Sequence, residues 1–417
     1  MRKLLVIDTA FSFQAIRTRG LEESITCRDL NEYFSHVWSV HPFGSLVSDQ
    51  PVELSGKPDI HQINALHTFI DGKFGRFKVL EFIPRFNFML AQFGLIVSLF
   101  NLIKSERISI IRAADPLYNG LLGIVLSKIT GIPLLIRVGA NHDKIYETTG
   151  RPMMPRLFPS RCIEKKVGQF VLRRADCVAG ANQDNLDFAI ANGARPERTT
   201  LFRYGNLIDK LHFAPPESRG GMHDWFKKNN LLTNCFVLYV GRLEPVKHPD
   251  DVLRAFNDLR CRGHELHLLM VGDGQMRNQL FELAGELGVS EYVIFCGNQN
   301  QSFLASIFPL AAVVLSPHTG RALSEAALAG AKIVAYDIDW QREMIESGVT
   351  GELVQHMNWK QMADSADIIL NNQFYAETIG NAVRARALEM MNPELLNEHE
   401  RMTYSSLLDV IENSSAM

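Results

Sequence analysis

Two stretches in the second half of the chain gather residue types suited to holding an anion. Val240-Gly-Arg-Leu-Glu-Pro-Val-Lys-His248 sets Gly241, Arg242 and Lys247 behind a β-branched run and ahead of a helix signal. In open α/β sheets ligands settle beyond the carboxyl ends of the strands, so both cations would project toward a diphosphate, and Gly241 would let the backbone approach it. Read alone, the segment is equally an ordinary βα loop with surface cations. Ser316-Pro-His-Thr-Gly-Arg-Ala-Leu-Ser-Glu325 repeats the strand, loop, helix order. Here Gly320 is expected to permit a tight turn, and the amides of Gly320, Arg321 and Ala322 lie at a helix start, where the dipole favours an anion. Glu325 is expected in the first helical turn, where it either accepts hydrogen bonds from a ribose diol or simply complements the dipole. A third stretch, Arg137-Val-Gly-Ala-Asn-His-Asp143, follows a first-half strand. His142 and Asp143 would orient a hydroxyl or stabilise charge there, although a His-Asp pair in a loop is more often structural. Arg17, Arg19 and Gly20, after the first strand, offer a weaker site for an acidic group.

The elements that must position these residues follow a strand and helix rhythm, the mark of βα units around parallel sheets. The spacing predicts first-half strands at 4–7, 36–40, 108–112, 134–138, 177–179 and 200–203. Phe213-Ala-Pro-Pro-Glu-Ser-Arg-Gly-Gly221 then concentrates proline, glycine and charge, and reads as a linker. Second-half strands are predicted at 236–240, 266–271, 292–295, 312–315 and 333–336. Pro249 with Asp250 and Asp251 marks a helix start, and Met276, Leu280, Leu283, Ala284 and Leu287 share one helix face behind Gly272-Asp-Gly274.

Composition narrows the function classes. The chain has 417 residues, enough for two or three domains, and 43 basic against 46 acidic residues, a balance without the excess of a dedicated nucleic-acid binder. Its six cysteines, at 27, 162, 177, 235, 261 and 296, form no C-x-x-C pair and read as buried free thiols. The apolar run at the start ends by Asp8, too early for a secretory signal, so the expected compartment is the cytoplasm. Residues 86–103 carry no charge, which invites a membrane span. Asn87, Gly94, Ser98 and Asn101 recur at helical spacing, however, and a helix packed in an α/β domain with a polar or small stripe fits better. Residues 73–85 interleave cations with aromatics; a solvated face is preferred there, with peripheral contact at an anionic membrane face as the alternative.

Taken together, these residues resemble the retaining glycosyltransferases of family 4. The resemblance is strongest from Val237 to Val354: the glycine-arginine loop with its lysine, Val271-Gly-Asp-Gly274, Phe295-Cys-Gly297, Ser324-Glu-Ala-Ala-Leu-Ala-Gly330, Ile333-Val-Ala335, Glu343 and Ser347-Gly-Val-Thr-Gly-Glu-Leu-Val354. Asp115-Pro-Leu-Tyr-Asn-Gly120, Arg174-Ala-Asp176 and Tyr204-Gly-Asn-Leu-Ile-Asp209 look like that family's acceptor domain. It implies an α/β GT-B fold, two doubly wound Rossmann-like domains facing across a cleft. The division expected is an acceptor domain over 1–212, a linker over 213–222, a donor domain over 223–390, and a C-terminal helix over 391–417 packing back on the first domain.

By position the resemblance implies that Arg242 and Lys247 bind the donor diphosphate and Glu325 the donor ribose. Gly241, Gly272, Gly274, Gly320, Arg321 and Ala322 would line the donor pocket, and His142 and Asp143 would meet the transferring sugar or the acceptor. The implied activity is hexosyl transfer from a nucleotide-diphosphate sugar to a saccharide or glycolipid acceptor in polysaccharide assembly, with no metal or other cofactor. The chain departs from the pattern in two places. The family pairs two glutamates eight positions apart, but Pro317 stands eight before Glu325, with His318 the candidate substitute. Thr9-Ala-Phe-Ser-Phe-Gln14 replaces the glycine-rich loop after the first strand. Two alternatives stay open: a nucleotide-sugar-binding protein without turnover, and a nucleotide-sugar epimerase of the same architecture. A dehydrogenase is set aside because no G-x-G-x-x-G follows a strand. Asp337-Ile-Asp339, a possible metal-holding D-x-D, is discounted because cations and helix amides already supply positive charge.

Overall fold

The structure, a computed structural model, describes residues 2–19, 21–48, 52–219, 221–229, 231–318 and 320–415. Gly20 therefore lies outside the described residues. The chain divides into two compact units, 1–207 with 393–417, and 208–392.

The first unit is built on an eight-stranded sheet: β1 (Lys3–Ile7), β2 (His36–His41), β3 (Asp59–Asn64), β4 (His67–Asp71), β5 (Ile110–Ala113), β6 (Leu134–Val138), β7 (Cys177–Gly180) and β8 (Thr199–Leu201). The strand order is β3-β4-β2-β1-β5-β6-β7-β8, parallel except for β3 against β4. The chain leaves β1 toward β2 and β4, then returns to β5 on the other side, so the order reverses between β1 and β5. Both faces of β1 are buried. Leu5 and Ile7 join one apolar cluster and Leu4 and Val6 another, the alternation a two-sided buried strand requires.

The second unit holds six parallel strands: β9 (Phe236–Val240), β10 (His267–Val271), β11 (Val293–Gly297), β12 (Val313–Ser316), β13 (Ile333–Tyr336) and β14 (Glu352–Val354). Their order is β11-β10-β9-β12-β13-β14, reversing between β9 and β12. In helix Arg277–Glu286, Leu280 and Ala284 are buried, and the flanking Met276, Leu283 and Leu287 pack partly against the same core. Pro249 opens helix Pro249–Cys261 at its first position, with both acids in its first turn.

Several expectations change. Strand 108–112 lies at Ile110–Ala113, and 200–203 at Thr199–Leu201. The β3-β4 hairpin and β14 had no strong signal: β3 is an exposed edge of alternating polar residues and β14 has three residues. Segment 213–219 is part of the second unit rather than a free linker. The Arg219 guanidinium donates to the carbonyls of His212, Ala214, Ala305 and Leu328, fastening the proline-rich turn to that unit. Of the cysteines, only Cys177 is fully buried; Cys162 and Cys261 are exposed.

Residues 86–103 form the middle of helix Pro84–Glu106, and of the expected polar stripe Ser98 and Asn101 are exposed while Asn87 is buried. Asn87 faces the interior, and the outward stripe is apolar, with Phe86, Met89, Phe93 and Val97 exposed. The Asn87 side chain accepts from the amides of Arg76 and Phe77 and donates to the Phe77 carbonyl, so its polarity is satisfied by the preceding turn rather than by water.

Helix Pro393–Ser415 belongs to the first unit. Its Tyr404 is fully buried beside Phe34 and Phe202, and Arg112 Nη1 lies 3.4 Å from the Tyr404 hydroxyl and 3.7 Å from Glu400.

Candidate functional site

The reversal between β9 and β12 leaves a crevice at the carboxyl ends of two neighbouring strands, the general position for a ligand in such sheets. The loops leaving these strands carry the two anion-holding stretches. After β9 the chain is held against the loop after β10: Gly241 N donates to the Val271 carbonyl, Leu243 N to the Asp273 carbonyl, and Met276 N to the Leu243 carbonyl. This contact explains two glycines. A β-carbon on Gly272, whose φ is +133°, would lie 1.9 Å from the Gly241 carbonyl oxygen, and one on Gly274 would lie 2.5 Å from that of Leu243. Gly272 and Gly274 thus shape the loop that carries Arg242 and Lys247.

A single turn, Pro245–Lys247, then brings Lys247 back over the sheet, where Nζ stands 2.9 Å from Nδ1 of His318 in the loop after β12. Burial, with help from the Arg242 charge, brings the Lys247 ammonium down to about 8 from its ordinary 10.5. Arg242 is exposed and pairs with Glu244 at 2.8 Å.

Helix Arg321–Leu328 starts directly after this loop, with Gly320 at its N-cap and no side chain among the described residues capping it. Its first amides point out of the helix end toward the side on which Lys247 lies. A β-carbon on Gly320 would stand 4.0 Å from Lys247 Nζ. Gly320 does not use glycine's conformational freedom: its φ of 161° is extended backbone open to any residue. Ala322 is partly buried and Arg321 exposed at this helix start.

Glu325 lies one turn deeper than expected, at the fifth helical position, and is only 3% exposed. Burial raises its carboxyl to about 7, against the opposing Arg321 charge and a hydrogen bond from Gln301. Gln301 Oε1 in turn lies 2.7 Å from His212 Nε2, and Asp209 raises Glu325 further. Gln301 and His212 were not anticipated, and Asp209, read with the acceptor domain, lies in the second unit. The one local signal was Asn300, which caps helix Gln301–Ile307 by accepting from Phe303 N and so fixes where Gln301 begins.

In the first unit, Asn141 caps helix His142–Thr149 by accepting from Asp143 N and Lys144 N. Asp143 and His142 do not form a working pair there. Asp143 is held by Arg161, Lys165 and Asn192, which keep its carboxyl below the usual range against burial. His142 is buried against Phe188, and burial brings its imidazole down to about 4. Both residues therefore tie neighbouring helices together. At the reversal between β1 and β5, Asn119 Nδ2 donates to Thr9 Oγ1 at 3.1 Å and also to Asp115, whose carboxyl burial raises to about 7. Arg17 lies over the Phe13 ring.

No group of three or more His, Cys, Asp or Glu residues placed to hold a metal occurs among the described residues. Asp337 is engaged by Arg342, and Asp339 accepts from the Trp340 amide.

With this geometry in hand, similarity to known proteins can be placed on it. The chain is 29% identical over 253 residues to the alpha-D-kanosaminyltransferase of Streptomyces kanamyceticus, covering 60% of this chain and 64% of that protein. It is 29% identical over 219 residues to the D-inositol 3-phosphate glycosyltransferase of Nocardia farcinica, covering 48% of this chain and 49% of that protein. The chain thus spans less than two thirds of the length of these curated relatives. Among solved structures, Anabaena HepE in complex with UDP-glucose superposes with a TM-score of 0.70 over 97% of this chain and 100% of its own, at 16% identity. That agreement establishes the fold, two Rossmann-like α/β units of the GT-B kind. Residues 222–386, nearly all of the second unit, match the family model described as Glycosyl transferases group 1, and the matched region contains Arg242, Lys247, His318, Gly320 and Glu325.

Proposed function

We propose that the chain is a hexosyltransferase-type glycosyltransferase that moves a sugar from a nucleotide-diphosphate sugar to a saccharide or lipid-linked acceptor, with retention of anomeric configuration. The observation that carries the reading is the meeting of Lys247 with the start of helix Arg321–Leu328 across the β9-β12 reversal. A diphosphate seated there gains negative charge as its bond to the anomeric carbon breaks. An ammonium and helix amides fixed in advance stabilise that charge where it develops, which lowers the barrier rather than only tightening the ground state. The acceptor oxygen bonds to the face the diphosphate leaves, and the acceptor proton departs with the leaving group, so no protein nucleophile is assigned. Arg242 adds charge at the rim of the loop, and Glu325 receives the donor ribose. Relatives named for sugar transfer, and a protein of the same fold solved with UDP-glucose, support a nucleotide-sugar donor. The reading places the enzyme in the cytoplasm, working without a metal in assembly of a polysaccharide or glycolipid.

Pro317, buried where the family has a glutamate, favours a second reading, a protein that binds the nucleotide sugar without transferring it. Thermal-shift screening of nucleotide sugars, followed by transfer assays with the donor found, separates the two. Transfer that depends on Lys247 supports the enzyme. Tight binding without product on any saccharide or lipid acceptor supports the inert protein, and isomerised free donor would indicate an epimerase.

A further inference from the structure

Eight large exposed apolar residues of the first unit fall within residues 77–97. Val79 and Phe82 are 78% exposed, Phe93 67% and Met89 66%, and Phe77, Ile83, Phe86 and Val97 are exposed beside them. On helix Pro84–Glu106 the positions 86, 89, 93 and 97 follow steps of three, four and four, so they form one stripe. From Phe86 to Val97 the stripe runs about 17 Å at about 1.5 Å per residue, and Phe82 precedes it. Monomeric soluble proteins rarely leave so long an apolar strip uncovered.

The opposite face of the helix is committed to the fold. Leu95, Leu99 and Ile103 belong to the cluster on the first sheet, and Gln92 Nε2 donates to the Pro42 carbonyl at 3.1 Å. The helix is long and apolar enough to cross a membrane. Spanning would nevertheless strip these contacts and carry Asn87 and Gln92 into hydrocarbon, where unpaired amides are costly. The Asn87 hydrogen bonds also hold Arg76 and Phe77 against the helix, so the turn and the helix present one continuous face.

Charge identifies the occupant. Residues 73–107 contain six cations, Lys73, Arg76, Lys78, Arg85, Lys104 and Arg107, against two acids, Glu81 and Glu106. Lys73 and Lys78 are held by Asp59 and Glu53. Arg85 borders the start of the stripe, the Arg76 guanidinium lies against Gly94 beside its middle, and Lys104 and Arg107 lie beyond its far end. A second copy of the chain packed on this face would bring two positive borders together. An anionic bilayer surface instead takes apolar side chains below the headgroups and cations among them.

We propose that this face, Phe77 to Val97, docks the protein on an anionic lipid surface with helix Pro84–Glu106 lying in the interface plane. The proposal goes beyond sugar transfer and does not depend on it. It also moves the contact from the cationic turn 73–85 to the helix stripe that follows.

Co-sedimentation of the full chain with vesicles tests it, using phosphatidylcholine alone and phosphatidylcholine mixed with phosphatidylglycerol. Wild type is expected to bind the mixed vesicles at least tenfold more tightly than the neutral ones at low salt. The double variant Met89→Asp/Phe93→Asp should lose binding to both while its melting temperature stays within about 2 °C, because both positions are exposed. Arg76→Gln/Arg85→Gln should reduce binding to mixed vesicles toward the neutral level. Equal binding by wild type and the Asp variant, or no binding by wild type, would overturn the proposal. So would a wild-type dimer in light scattering that the Asp variant dissociates, which would assign the face to a second copy.

Discussion

Lys247 Nζ and His318 Nδ1 lie 2.9 Å apart although 71 positions separate them in the chain. The two loops that carry them leave adjacent parallel strands, β9 and β12, at the point where strand order reverses, so the fold itself creates the meeting. An ammonium can only donate, so Nδ1 of His318 is the acceptor and its ring proton sits on Nε2. The imidazole therefore turns an N–H donor away from Lys247.

Replacing Lys247 with alanine should reduce transfer by about 10²–10³, the usual effect of deleting one preorganised charge-stabilising group. Stability should be unchanged or slightly raised, because a half-buried cation is removed. Arg242→Ala should cost less, since its side chain is exposed and paired with Glu244. Steady-state transfer kinetics alongside thermal melts check both, and unaltered rates in both variants would remove the diphosphate assignment.

Donor affinity should weaken as pH rises through about 8. The Lys247 ammonium is protonated below that value and sheds its proton above it, well before an exposed lysine would. Donor binding, which favours the charged form, should therefore be accompanied by proton uptake near pH 8. Calorimetric titration of a nucleotide diphosphate in buffers of different ionisation enthalpy reads this directly. In Lys247→Arg the alkaline weakening should disappear, because arginine stays charged.

Glu325→Gln should weaken donor binding yet stabilise the unliganded protein in a pH-dependent way. The carboxyl ionises at about 7 when folded and at 4.5 ordinarily, so its neutral form is the one the fold tolerates. The cost of ionising it is absent below pH 4.5, grows between 4.5 and 7, and is fully present above, reaching roughly 3 kcal/mol. Urea denaturation should show the variant gaining stability at pH 8 and little at pH 4.5. Unchanged donor affinity would remove the ribose role.

Two glycines should respond in opposite ways. Gly272→Ala puts a β-carbon onto the Gly241 carbonyl at a φ of +133°, and should lower stability by about 1–3 kcal/mol while displacing the Arg242 loop. Gly320→Ala sits in extended backbone and should leave the melting temperature nearly unchanged. Its methyl group faces Lys247, so its effect should appear in donor affinity alone.

Transfer should persist in excess chelator, since positive charge at the diphosphate comes from Lys247 and the helix start. Activity abolished by chelator and restored by manganese would return Asp337 and Asp339 to consideration.

The sequence made β9 to β13 legible because each is a short apolar run, and the loops after β9 to β12 contain glycine or a cation. It also placed Arg242, Lys247 and His318 in loops that prove to be neighbours. Two features were not legible. The depth of Glu325 depends on where helix Arg321–Leu328 begins, and a shift of a few residues turns a rim carboxylate into a buried one. Gln301 and His212 reach Glu325 only through tertiary packing, which no local pattern encodes. His142 and Asp143 show the reverse case. Their residue types suggest chemistry, and the partners that occupy them, Phe188, Arg161, Lys165 and Asn192, lie 18 to 49 positions away.

The return of helix Pro393–Ser415 to the first unit bears on how the molecule is made. During synthesis the ribosome completes residues 208–392 before Glu400 and Tyr404 exist, so the later-encoded unit has all its residues before the first unit has its own. Until the last helix emerges, Arg112 waits without its carboxylate and phenol, and Phe34 and Phe202 wait without the ring that covers them. Completion of the first unit thereby waits for residues 393–415 to leave the ribosome.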